Sequence, residues 1–79
     1  MTVQVKLYAL LRKYHPGPNR SAALSLELSK GSTVADLSAV LKLPAGVVRA
    51  SFVNGEKLPS DTILHEGDLV SLFSAVVGG

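Results

Sequence analysis

Two runs of alternating apolar and polar residues stand at opposite ends of this chain. Val3, Val5, Leu7 and Ala9 alternate with Gln4, Lys6 and Tyr8, the period-two pattern of a strand with one buried face. Leu69 to Ser74 forms the matching run near the C-terminus, with Val70 and Leu72 on one face. Parallel neighbours require a crossover connection, and a helical segment lies between these runs. The expected arrangement is therefore two central strands, first and last in sequence, paired in parallel with the helix packed on one face of the sheet.

The intervening segments fill in that frame. Leu10 to Tyr14 favours a short helical turn, and Pro16-Gly17-Pro18-Asn19 then forbids regular structure. Leu24, Leu26 and Leu28 mark a second short strand, expected to form a hairpin with the first. Thr33-Val34-Ala35-Asp36 is a helix start in which a hydroxyl and an acid cap each other's amides, and Val34, Leu37, Val40 and Leu41 follow at helical spacing. Pro44 and Gly46 end that helix. Val48 to Val53 reads as a strand, Asn54-Gly55 as a hairpin turn and Glu56 to Leu58 as a brief returning strand. Pro59 stops it, Ser60 to Leu64 is expected to make one helical turn, and Glu66-Gly67-Asp68 turns the chain into the last strand. The fold class is α+β, a mixed sheet of four to five strands on one main helix, in a single domain over 1–79 with a flexible tail at 75–79.

Composition narrows the function. The chain has 79 residues, 47% of them hydrophobic, and no cysteine, so a packed core has to stabilise it without disulfides or thiolate metal sites. No stretch approaches the ~20 apolar residues of a membrane span, and the N-terminus lacks the order of a signal peptide. A soluble cytoplasmic protein is expected. The eight Lys and Arg residues that give the formal charge of +2 are dispersed. Nucleic-acid binding, which needs a basic stripe interleaved with aromatics, is not expected. The excess positive charge fits an acidic partner surface. His15 and His65 stand apart without metal-ligand spacing, and Asp61, Glu66 and Asp68 fall in turns. The serines show no nucleophile-elbow pattern and no glycine-rich phosphate loop occurs. No cofactor or metal is expected on this chain.

The ending carries the chemistry instead. Gly78-Gly79 follow the apolar stretch Ala75-Val76-Val77. Glycine makes up about 7% of residues, so a paired ending arises by chance in about one chain in 200, and its meaning depends on the domain that presents it. Lacking Cβ atoms, two glycines let a narrow active site close around the terminal acyl group. Five extended residues span about 17 Å, enough to enter a partner's pocket. If Val70 and Leu72 face the core, Phe73 faces outward beside the tail. The same alternation, with Arg49 and Ser51 taken as outward, places Val53 with it in an exposed apolar patch.

Taken in order, Leu7 to Lys13, the Gly31 to Leu37 helix start, Val53-Asn54-Gly55-Glu56, Glu66-Gly67-Asp68, and Leu72-Phe73 before a terminal Gly-Gly resemble the MoaD/ThiS family of ubiquitin-like sulfur carriers. The likeness spans essentially the whole chain. It implies a β-grasp fold whose C-terminal carboxylate an ATP-dependent adenylyltransferase activates with magnesium, after which a persulfide donor converts it to a thiocarboxylate. Gly79 would be the activated residue and Gly78 its slender approach. Phe73, Ala75, Val76 and Val77, with Val53, would contact the partner. The Leu10 to Ala23 insert resembles the small subunit of molybdopterin synthase, whose large subunit would then accept the sulfur. Ser74-Ala75 departs from the prolines often found at that point in the molybdopterin branch. Carriers for thiamine, cysteine or tRNA thiolation, a ubiquitin-like protein modifier and a non-covalent interaction module are the alternatives.

Overall fold

The computed structural model describes residues 1–44 and 46–74. Five strands form one sheet: β1 (Thr2–Tyr8), β2 (Leu24–Glu27), β3 (Val48–Val53), β4 (Glu56–Lys57) and β5 (Leu69–Ser74), in the order β2-β1-β5-β3-β4. β1 and β5 pair in parallel at the centre, with Val5 opposite Val70 and Leu7 opposite Leu72. β2 returns antiparallel on one side of them and β3 on the other. The single α-helix among the described residues, α1 (Val34–Val40), contributes Val34 and Leu37 to the core formed by the inward rows of the sheet. This is the ubiquitin-like β-grasp.

The core follows from strand parity. Val3, Val5, Leu7, Val70 and Leu72 are all but fully buried, and Leu11, Leu28, Leu64 and the helix residues close over them. Each such side chain contributes about 1.5–3 kcal/mol relative to exposure. Ala9, expected to continue the inward row of β1, instead leaves the strand. It is exposed at a φ of 55° and opens a 3-10 turn (Ala9–Tyr14) that buries Leu11.

The cap of α1 forms as its sequence requires. The Thr33 N–H donates to Asp36 Oδ2 at 2.9 Å and the Asp36 N–H donates to Thr33 Oγ1 at 3.2 Å. Two more amides at this end, those of Val34 and Ala35, donate to the carbonyls of Thr62 and Ser60. That use explains why Ser60 to Leu64 makes no helical turn: its carbonyls serve α1, and Thr33 bridges to Ile63. Val40 is 54% exposed. At 3.6 residues per turn it lies about 100° around α1 from the stripe of Val34, Leu37 and Leu41, too far to share it.

The helix stops before Pro44. Lys42 adopts a φ of 58°, its N–H donates to the Ala39 carbonyl, and the Leu43 N–H donates to the Ser38 carbonyl. These are the two bonds of a Schellman motif.

One strand differs in parity from expectation. A β-bulge between Val48 and Ala50 breaks the β3–β5 register, so exposed Arg49 does not report which way its neighbours point. Beyond the bulge, Val53 pairs with Val70 and is 7% exposed, which makes it a core residue and not part of an outer patch. Ser51 also faces inward, its hydroxyl donating to the Leu58 carbonyl at 2.7 Å. Phe52 takes the outward position.

The Asn54-Gly55 turn forms with positive φ at both residues, 53° and 86°. Asn54 then ties this hairpin to the next turn: its Nδ2 donates to Asp68 Oδ1, and its Oδ1 accepts the Leu69 N–H, both at 2.9 Å.

Candidate functional site

The sheet has two unlike faces. The inward face carries the core, while Gln4, Lys6, Tyr8, Ser71, Phe73 and Phe52 point the other way, where none is fully buried. Tyr8 and Phe73 are partners in the parallel register, and their rings stack with centroids 4.5 Å apart and planes within 8°. Phe52, diagonal to Phe73 across β3 and β5, meets it edge-on at 5.4 Å and 74°. Such pairs contribute about 0.5–1.5 kcal/mol each beyond area burial.

The chain has two Tyr, two Phe and no Trp. Three of its four aromatic side chains therefore stand in one stripe across β1, β5 and β3, at the end of the sheet where β5 finishes. Lys6 places its Nζ 5.7 Å from the Tyr8 ring centroid. Aromatic surface with a cation beside it suits a partner that is apolar at the contact and acidic around it.

Phe73 is where the sequence placed it, half-buried and outward. Val53 is not, and Phe52 stands beside Phe73 on the outward face instead. In the observed register Val53 pairs with Glu56 directly across Asn54-Gly55 and faces the core with Val70, so Phe52 has to face outward. Tyr8 was hidden because it alternates with the core residues like any polar neighbour. Ala75, Val76, Val77, Gly78 and Gly79 lie outside the described residues.

The histidines have separate roles. His15 is 8% exposed, its Nδ1 accepts the Gly17 N–H at 2.9 Å, and its Nε2 lies 3.0 Å from the Ala22 carbonyl. An accepting Nδ1 puts the proton on Nε2, which donates to Ala22, so the ring staples the two ends of the Pro16–Ala22 loop. His65 is exposed, with its Nδ1 3.9 Å from Asp68. Among the described residues no three His, Asp or Glu side chains converge as a metal site, and no helix is long and apolar enough to cross a membrane. A cavity of about 770 Å³ opens on the other side of the sheet between α1 and β3–β4, mixing Val34, Leu43, Val48 and Leu58 with Arg49 and Lys57.

A mixed five-stranded sheet with a helix on one face and an aromatic stripe on the other is a ubiquitin-like β-grasp domain. The profile of the ThiS family matches residues 5–79, and the chain belongs to that family. Three solved structures illustrate its relations. The putative molybdopterin converting factor subunit 1 of Pyrococcus furiosus is 26% identical over 95% of this chain and 98% of its own, with a TM-score of 0.70. The complex of subunits 1 and 2 of the molybdopterin-converting factor of Helicobacter pylori contains a chain 25% identical over 100% of both, with a TM-score of 0.61. The small archaeal modifier protein 1 of Haloferax volcanii shares the fold at 20% identity over 95% and 98%, with a TM-score of 0.71. Comparison with curated proteins gave no match.

Proposed function

We propose that this chain is a sulfur carrier whose Gly79 carboxylate is adenylated and then converted to a thiocarboxylate for the synthesis of molybdopterin. The observation that carries the reading is the family match, which runs through the terminal Gly78-Gly79. Its support in the fold is the position of β5, the strand before the tail, which ends beside the aromatic stripe. Two relatives at 25% identity or more are named as molybdopterin converting factor subunits, which favours that pathway over thiazole or tRNA sulfur chemistry. The Helicobacter pylori relative is paired with a second subunit, supporting a large subunit as the sulfur acceptor here.

An α-carboxyl ionises with a pKa of about 3.5, so at neutral pH it attacks phosphorus without a base from its own chain. An activating enzyme supplies ATP and magnesium. The carboxylate oxygen bonds to the α-phosphorus and pyrophosphate leaves. The outer sulfur of a persulfide then attacks the acyl carbon and AMP leaves, giving an acyl disulfide. A thiol takes the far sulfur as a disulfide and releases the thiocarboxylate. The stripe of Tyr8, Phe52 and Phe73 holds the body of the domain against the partner while the tail enters.

Intact-mass analysis tests this. After incubation with the activating enzyme, ATP, magnesium and a persulfide donor, one oxygen of the chain is replaced by sulfur, and a variant extended by one residue past Gly79 stays unchanged. Equal sulfur uptake by the extended variant would overturn the proposal, and a product joined to a lysine of another protein would replace it with a modifier role.

A further inference from the structure

Ser74 is the last described residue of β5, and its side chain points inward in the row of Val70 and Leu72, where an apolar residue would ordinarily stand. It is only 7% exposed. A buried hydroxyl is costly without a partner, and this one accepts the N–H of Leu10 at 3.0 Å. That amide belongs to the first turn of the 3-10 segment, whose early N–H groups have no acceptor within the helix. Tyr8, the residue at the cap position of this turn, makes no side-chain cap bond. Ser74 therefore caps the turn from another strand, 64 residues away in sequence.

The bond closes a three-point fastening. Tyr8 pairs with Phe73 through the ladder and stacks on its ring, Leu10 is held by the Ser74 hydroxyl, and Ser74 pairs with Val48 on the opposite side. Ala9, at the junction, sits at a φ of 55°, a conformation that alanine holds only when its surroundings enforce it. The last residue before the tail is thus clamped on both flanks, next to the docking stripe.

From this geometry we infer that Ser74 is a positioning residue: by capping the Ala9–Tyr14 turn, its hydroxyl sets the root from which the last five residues reach a partner's nucleotide site. The inference rests on the sulfur-carrier reading. Once the body docks through Tyr8, Phe52 and Phe73, the remaining distance is covered from a fixed root, and small errors in that root are errors in the approach of the carboxylate to phosphorus.

Adenylation kinetics separate positioning from docking and from folding. With the adenylyltransferase that activates the wild-type chain, ATP–pyrophosphate exchange on Ser74→Ala shows kcat lowered about 10-fold at unchanged KM, the mark of an interaction that acts on the chemical step. Ser74→Thr, which keeps the hydroxyl, stays within about twofold of wild type. Adding Ala9→Gly to Ser74→Ala relieves the backbone and restores the thermal midpoint without restoring kcat. Ser74→Ala with wild-type kcat, Ser74→Thr as slow as Ser74→Ala, or recovery of kcat with stability would each overturn the inference while the carrier reading stands. Failure of the wild-type chain to be adenylated would overturn both.

Discussion

Lys42 closes α1 in a conformation that costs a residue with a Cβ. At a φ of 58° it occupies the position of the Schellman motif where glycine is the usual residue. The left-handed region is disfavoured for L-residues by about 1–2 kcal/mol, part of which the glycine backbone gives back as entropy. Lys42→Gly is therefore expected to stabilise the fold by about 1 kcal/mol, raising the thermal midpoint by about 4–8 °C for a domain of this size, as differential scanning calorimetry would measure. His15 works in the opposite sense, since both its ring nitrogens are used to hold the loop after the 3-10 turn. Its replacement, His15→Ala, removes both bonds and is expected to cost about 1–3 kcal/mol in urea unfolding. Amide exchange should quicken at Gly17, while amides in the β1–β5 ladder slow down or speed up only with global stability.

Among the elements, β3 places a core residue and an outward aromatic side by side. Val53 is buried against Val70 and Phe52 lies on the aromatic stripe. Val53→Ala is expected to cost about 2 kcal/mol of stability. Phe52→Ser is expected to leave most of the stability in place and to raise the KM for the activating enzyme by about 10-fold, the loss of about 1.4 kcal/mol of binding. Steady-state adenylation alongside thermal unfolding reads both; a Val53→Ala defect confined to KM would contradict the observed parity. The bounds of β3 and β5, the hairpin turn at Asn54-Gly55 and the Thr33–Asp36 cap were legible because each rests on local chemistry: alternation, positive φ, a reciprocal side-chain cap. What the sequence hid was non-local. The outward face of β3 was misread because Arg49 and Ser51 share polarity but not environment, one at a bulge and the other satisfied by the Leu58 carbonyl. Ser60 to Leu64 looked helical because the demand of α1 for its carbonyls comes from residues 25 positions or more upstream. Phe73 was legible as a candidate because parity alone points it outward, while Tyr8 and Phe52 joined the candidate stripe only when register brought them beside it.

For the molecule as a whole, the ubiquitin-like topology places the strand that precedes the tail at the centre of the sheet, hydrogen-bonded to β1 on one side and β3 on the other. That placement has a mechanical meaning. A partner that grips the last residues and pulls outward loads β5 along its own axis. The ladder bonds lie across that axis, so the force is shared in shear by both ladders at once, five register pairs on each side. An edge strand such as β4 would carry the same load through one ladder alone. A pull on the C-terminal end is therefore resisted by two ladders together.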